Sequence, residues 1–374
     1  MKCETRDTAL PWIVTEGEFM KKLMMAAAAA GLAGTAFAQS NVLIYGSLDA
    51  GLAHVNNIGG HSVSRLDQGT MQPDRIGLRG TEDLGGGLRA VYQLEAGFST
   101  DTGGQPNPSR FFNRAATVGL GGDFGAVIMG HMPDIVFDYA GKFSNGFQLT
   151  NFYLFHPGNL DTLANTYQFD NAIRYTSPIM GGLQLSAMYG LGEVAGDYSK
   201  NRNVSAGAIY SSGPLRATVA WTKSNDRAAG YAGTYLGSLG LGNASTVFNS
   251  LVTSAAGIGY TLGDVRLNAL YTQTRMDFGN GNSPTQKNGD LGAAWRYSPA
   301  NTLNVGYTRT KQEGAHWDQF SLGNVYAFSK RTELYATVAY QKAGGDARFA
   351  IMNNTGVSGG SSQLVTAIGV HHLF

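Results

Sequence analysis

The sequence predicts an all-β chain, a 16-stranded antiparallel transmembrane β-barrel with an inward-folded third long loop. Three observations carry this reading. Fifty-two glycines, 11% aromatics and only 14% charged residues describe many strands and turns, not a helical protein of 374 residues. Apolar and polar residues alternate with period two in segment after segment. The third is the C-terminal stretch LVTAIGVHHLF, Leu364 to Phe374. There Leu364, Thr366, Ile368, Val370, His372 and Phe374 share one face, and Val365, Ala367, Gly369, His371 and Leu373 share the other. An apolar strand at the end of a chain leaves an open sheet edge. Pairing with the first strand removes that edge by closing a barrel.

Ahead of the first strand, the residues from Met20 read MKKLMMAAAAAGLAGTAFAQS, with two lysines, an apolar run from Leu23, and Ala36, Phe37 and Ala38 as a small-x-small cleavage site. This is the pattern of a secretory signal peptide over 20–38, whose apolar core is too short to span a bilayer comfortably. Residues 1–19 include Pro11 and four acidic residues, which no signal n-region needs, and are expected to be a mis-assigned N-terminal extension. The barrel itself is expected over 39–374. The one cysteine, Cys3, lies upstream of it, so neither a disulfide framework nor a thiolate metal site is expected. No apolar run of about eighteen residues follows the leader, which excludes transmembrane helices and leaves strands. A formal net charge of +1 gives no ground for nucleic acid as a partner.

The first strand places Val42, Ile44, Leu48, Ala50 and Leu52 against Tyr45, Ser47, Asp49 and Gly51. The third segment places Leu88, Ala90, Tyr92, Leu94, Ala96 and Phe98 against Arg89, Gln93, Glu95 and Gly97. Sixteen such segments are expected near 41–55, 73–80, 87–98, 111–121, 124–131, 169–177, 183–191, 202–210, 215–223, 255–262, 265–274, 289–297, 302–310, 317–328, 332–341 and 364–374. GGDF, SPIMGG, SSGP, LGDV, SPAN and SKRT read as tight turns. The connections at 56–72, 99–110, 132–168, 224–254, 275–288 and 342–363 are long. Short turns at one rim and long loops at the other are the mark of an outer-membrane barrel.

Which face meets lipid is decided by residue type. Leu183, Leu185, Ala187, Tyr189 and Leu191 form one apolar face, and Leu215, Ala217, Val219 and Trp221 another. Aromatics recur at segment ends, at Tyr210, Tyr260, Tyr271, Tyr297, Tyr307, Tyr326 and Tyr340, as interfacial girdles require. The opposite faces carry Gly, Ser, Thr, Asn, Gln and Arg. They would make a poor core for a soluble sandwich, so they are expected to line water. Sixteen strands leave a lumen wide enough for an aqueous channel, and a closed barrel satisfies every strand hydrogen bond in lipid.

What narrows that lumen is expected to decide its chemistry. Residues 132–168 contain DIVFDYAGKFSNGF and NFYLFHPGNL, too apolar for a solvated loop, and are expected to fold inward. They carry Asp134, Asp138 and Asp161 against only Lys142. A strand with a rise of about 3.3 Å and a tilt of about 40° climbs roughly 2.5 Å of membrane height per residue. That puts Arg75 and Arg114, six and seven residues before their turns, near mid-membrane, with Arg174 closer to its turn. Arg89, Arg216, Arg266 and Arg296 fall at the short-turn rim. Arg114 shares parity with Ala116, Val118 and Leu120, so a lumen-facing Arg114 requires a bulge or an unusually apolar lower wall.

NVLIYGSLDAGL, DRIGLRGTEDLGGGLRAVYQLEAGF, FFNRAATVGLGGDFGAVIMG, NAIRYTSPIMGGLQLSAMYG and the terminal GVHHLF resemble the Gram-negative general porins of betaproteobacterial type, in register over nearly the whole of 39–374. The resemblance implies a homotrimer in the outer membrane, with the third long loop as constriction and arginines on the opposing wall. It maps Arg75 and Arg114 onto wall arginines and 132–168 onto the constriction loop. Where the family commonly reads Gly-Arg-Gln, this chain has Gly130, His131 and Met132.

The expected function is passive diffusion of ions and small hydrophilic solutes, mildly anion-preferring, with Arg75, Arg114 and Arg174 on the wall and Asp134, Asp138 and Asp161 on the loop. No catalytic residue, cofactor or metal is expected. The histidines are scattered, no Gly-x-Ser-x-Gly, Walker loop or His-Glu-x-x-His occurs, and the Asp-rich pieces lack the spacing of a known calcium loop. Two alternatives stay open at this level. One is a channel selective for a sugar, carboxylate or phosphate. The other is a structural or adhesive surface barrel using the loops at 224–254 and 342–363.

Overall fold

The computed structural model describes residues 41–374. The expected leader and the extension ahead of it lie outside the described residues. Seventeen strands follow in order: β1 (Asn41–Ile58), β2 (His61–Gln68), β3 (Arg75–Gly85), β4 (Leu88–Gly97), β5 (Ala115–Gly122), β6 (Gly125–Pro133), β7 (Gln168–Thr176), β8 (Leu183–Gly190) and β9 (Asn203–Ser212). The remainder are β10 (Leu215–Ala228), β11 (Val247–Leu262), β12 (Val265–Asp277), β13 (Thr285–Ser298), β14 (Asn301–Gln312), β15 (Ala315–Ala327), β16 (Thr332–Gly345) and β17 (Ser362–Leu373). Each pairs antiparallel with its neighbours in one sheet.

The sheet closes where β1 meets β17, from Ser47 opposite Leu373 to Val55 opposite Val365. Phe374 completes the seam, its N–H donating to the Gly46 carbonyl and its carbonyl accepting from the Gly46 N–H. The expected pairing of first and last strands is therefore realised. β2 and β3 count as one stave, because β1 pairs with β2 from Ala50 upward and with β3 from Ser47 downward. The barrel thus has sixteen staves.

The break between β2 and β3 is filled by carboxylates. Asp49 accepts from the Met71 and Gln72 N–H groups and from Tyr335, while Asp74 accepts from the Asp49 N–H and from Thr100. Backbone donors that leave the ladder are satisfied there without water.

Several boundaries differ from expectation. The long connection expected at 56–72 is a tight turn at Gly59 and Gly60, both at positive φ, followed by β2. β10, β11, β13 and β16 extend beyond the expected segments into the loops. In these extensions the alternation of residue type fades while backbone pairing continues. β5 starts at Ala115, not at 111.

Outward faces are apolar as expected, with Leu52 at 65%, Ile44 at 62% and Leu291 at 61% exposure. Tyr210, Tyr260, Tyr271, Tyr297, Tyr326 and Tyr340 are exposed beside them. A continuous apolar belt of this kind is stable only against lipid.

The core lies inside the barrel, between the wall and the 134–167 loop. Ile135, Val136, Phe143 and Leu163 pack on Met188, Ala220, Ala255 and Leu270. Further along the same loop, Leu149, Tyr153 and Leu154 pack on Val55, Tyr335 and Val365 across the lumen. Close approach to the wall requires glycine, since a Cβ at Gly207 or Gly257 would come within 3 Å of Ile135 or Phe143. The loop is folded inward, as its apolar content predicts.

Candidate functional site

The inserted loop leaves open space along β3 to β6. Three spaces of about 600, 460 and 400 Å³ follow one another. The first and second share Pro73, Arg114, Phe152 and Asn165, and the second and third share Gln93, Thr117 and Ile128. The middle space lies between the wall and the inserted loop. Arg75, Glu95 and Arg114 line it from the wall, and Phe137, Asp138 and Phe147 from the loop.

On the wall, β3, β4 and the residue preceding β5 converge on one carboxylate. Gly77 of β3 lies opposite Glu95 of β4, which lies opposite Ala115. Glu95 receives Arg114 Nε at 2.6 Å and Tyr45 OH at 2.7 Å, with Arg75 Nε at 3.8 Å. Arg75 also donates to the Pro73 carbonyl at 3.0 Å and to Gln72 at 3.1 Å. Gln93 donates to Tyr45 at 2.7 Å, completing the network. All three charged side chains are largely enclosed, with Glu95 the least exposed at 11%.

Arg114 reaches the lumen despite its parity. It lies ahead of β5, where only its N–H is held, by the Glu95 carbonyl. The irregular backbone frees the side chain from the alternation that sends Val118 and Leu120 outward. Among the expected wall residues, Arg174 on β7 also faces inward and lines the same space. It is bonded to Asp138 and lies 5.9 Å from the Tyr139 ring.

Of the three loop aspartates, only Asp138 borders the opening. Asp134 is buried, accepting from the Phe137 N–H, from Thr222 at 2.7 Å and from Thr162 at 3.2 Å. Burial raises its carboxyl above the usual range. Asp161 is also buried, accepting from Thr272 at 2.6 Å and Asn288 at 3.2 Å. These two carboxylates hold the loop to the wall, where wall hydroxyls and amides need acceptors and water is excluded. They do not stand across the opening from the arginines.

The anchor at Asp161 includes His156, which sequence reasoning did not single out. Its Nδ1 lies 2.6 Å from Asp161 and its Nε2 3.1 Å from Asp290 of β13, all fully enclosed. Burial alone would lower the imidazole, but the two carboxylates more than offset it and push it up to about 10. Burial would likewise raise Asp161, yet the charge and hydrogen bond of His156 hold it below the usual carboxylate range. The helix-like turn at Asn145 joins the same network, its N–H donating to Asp290 at 2.9 Å.

Glu95 was also missed as a site residue. The available signal was its position on the polar face of the third segment, beside Arg89 and Gln93. In the outer space, His131 meets Asp170 at 2.6 Å, and Arg110 from the 98–114 connection grips the same carboxylate at 2.6 and 2.8 Å. A guanidinium thus stands beside His131, delivered by another segment. Arg89, Arg216, Arg266 and Arg296 lie exposed near the short-turn rim, as expected. Arg216 additionally approaches the Phe143 ring of the loop at 5.4 Å.

Around the middle space, three arginines (75, 114 and 174) meet two carboxylates (95 and 138), leaving an excess of one positive charge. Such a place can pass hydrated ions and weight them by sign. Among the described residues no cluster of His, Cys, Asp and Glu has the arrangement of a metal site.

A profile of Gram-negative porins matches residues 25–346. Outer membrane porin protein 32 of Delftia acidovorans is 30% identical, covering 95% of this chain and all of the relative. An outer membrane porin protein of Bordetella pertussis is 28% identical with the same coverage. Among solved structures, an anion-selective porin from Comamonas acidovorans superposes with a TM-score of 0.75 at 27% identity, covering 90% of this chain and all of that one. These relatives are porins. With sixteen closed staves, a lipid-facing exterior and a loop-narrowed lumen, the chain belongs to the Gram-negative porin family and is an outer-membrane porin.

Proposed function

We propose that this porin is a passive diffusion channel for ions and small hydrophilic solutes with a mild preference for anions, carried by the excess of one positive charge at its constriction. Solutes move down their own gradient through the open lumen. Arg75, Arg114 and Arg174 supply the positive side. Glu95 moderates the first two, and Asp138 moderates the third. An anion entering the narrow section exchanges part of its hydration for guanidinium N–H donors, while a cation meets only carboxylates already engaged. Asp134 and Asp161 contribute by holding the loop in place.

The functional unit is proposed to be a homotrimer, and residues 20–38 to direct export to the outer membrane. The family resemblance supports both. Chemical cross-linking of the protein in outer-membrane vesicles tests the first, with a ladder ending at three copies as the expected result.

Planar-bilayer recording in a potassium chloride gradient tests the channel reading. Large ohmic steps with a reversal potential on the chloride side are expected. A cation-side reversal potential removes the anion preference, and liposomes that fail to swell in small sugars remove the channel.

A further inference from the structure

The loop side of the middle space is apolar, although the wall side is charged. Phe137, Phe147, Phe152 and Phe155 all line it. Phe147 is 47% exposed, and the backbone keeps it so. Its turn is pinned by Asn145, whose N–H donates to Asp290 at 2.9 Å and whose amide donates to the Tyr307 carbonyl and to Thr308, each at 3.0 Å. Ser144 accepts from the Phe147 N–H at 3.2 Å, and Gly146 sits so close to Phe155 that a Cβ there would come within 2.6 Å of the ring. A fixed turn thus presents a phenyl ring to open space, where burial would favour it.

A charged donor borders the same space. Arg114 and Phe152 both stand where the outer and middle spaces join. Arg114 donates to Glu95 through Nε, and among the described residues its two terminal nitrogens donate to no protein acceptor. The Nε bond fixes the guanidinium plane and leaves a fork of N–H donors, which matches the two oxygens of a carboxylate. The other two arginines are more fully engaged. Arg75 spends its terminal nitrogens on Pro73 and Gln72, and Arg174 is bound to Asp138.

A free guanidinium fork beside fixed phenyl rings selects a solute that carries one carboxylate and one aromatic ring. A neutral aromatic leaves the fork unused, and a small aliphatic acid leaves the rings wet. A second carboxylate would meet phenyl rings or the charge of Asp138. We propose, on the footing of an anion-preferring channel, that the middle space at its junction with the outer one is a binding site for aromatic monocarboxylates of benzoate size. Arg114 takes the carboxylate, and Phe147 and Phe152 pack on the ring, where offset or edge-on contacts add to area burial. The space of about 460 Å³ is in the size range of small-molecule sites. Occupancy is brief, because a solute that passes through a channel must also leave it.

The test records chloride current through the purified full-length porin in planar bilayers while benzoate, acetate, succinate or benzamide is added at constant ionic strength. Benzoate should reduce the current saturably, with a half-saturating concentration about tenfold below those of the other three, the factor that one moderate interaction supplies. This comparison needs no variant. Phe147→Ala should raise the value for benzoate relative to acetate by about fivefold, and Phe147→Tyr, which keeps the ring, should restore it. Arg114→Gln should bring benzoate to the level of benzamide. Heat-modifiable gel migration shows that each variant is folded. Equal half-saturation by benzoate and acetate overturns the proposal, as does equal half-saturation by benzoate and benzamide. So does a folded Phe147→Ala that discriminates as the parent does. The parent's reversal potential in potassium chloride alone reports the anion preference. A chloride-side potential without benzoate discrimination removes only the site, and a cation-side potential with discrimination intact removes only the preference.

Discussion

Replacing Glu95 with glutamine is the sharpest perturbation of the constriction. The amide keeps the size of the side chain and can still accept from Tyr45, but the constriction goes from three cations and two anions to three and one. Its excess charge rises from one to two. At roughly 6 Å in water, one unit charge is worth about 0.7 kcal/mol, and screening at physiological salt brings this to about 0.3 kcal/mol. An anion gains that amount and a cation loses it, so the chloride-to-potassium permeability ratio should rise by about threefold. In a tenfold salt gradient the reversal potential should move toward chloride by on the order of 20 mV. Glu95→Asp keeps the charge and should leave the potential close to that of the parent. An unchanged potential in Glu95→Gln, or one that moves toward potassium, would refute the charge arithmetic.

Arg75→Gln removes the excess charge, and its reversal potential should shift toward cations by a similar amount in the same recording. The buried His156 clip has a folded pKa raised to about 10 against an ordinary value of 6.5, so its stabilisation is fully present below about pH 6.5 and is lost as pH rises through about 10. The temperature at which heat-modifiable migration is lost should therefore fall across that window, and His156→Gln should flatten this dependence. Because His156→Gln also strands two buried carboxylates, it should cost on the order of 3–5 kcal/mol and loosen the loop, seen as noisier single-channel current. Gly207→Val places a side chain where Ile135 and Tyr139 sit, so the loop should lift from the wall and become cleavable by added protease in vesicles.

Why some of these residues were legible and others were not follows from the range of the interactions. Side-chain alternation is a property of the local backbone, so the faces of β1, β4 and β17 could be read residue by residue. The same holds for the inward fold of the 134–167 segment, since its apolar content needs a surface wherever it goes. The upper parts of β2, β10 and β11 were not legible as strands, because outside the bilayer neither face must be apolar. Asp134 and Asp161 read like Asp138 in the sequence, yet their partners Thr222 and Asn288 lie 88 and 127 residues away.

From sequence alone, then, came the closed sheet, its lipid-facing side, the inserted loop and the arginines of the wall, each dictated by local periodicity or by composition. Tertiary structure decided how those charges are spent. It set Glu95 beside Arg75 and Arg114 through the β3–β4 register and released Arg114 by starting β5 late. It also buried two of the three loop aspartates against the wall, Asp161 beneath a histidine clip and Asp134 under Thr222. The physical reason is that a carboxylate's role depends on which donors and how much water surround it, and chain closure across a barrel brings those from distant staves.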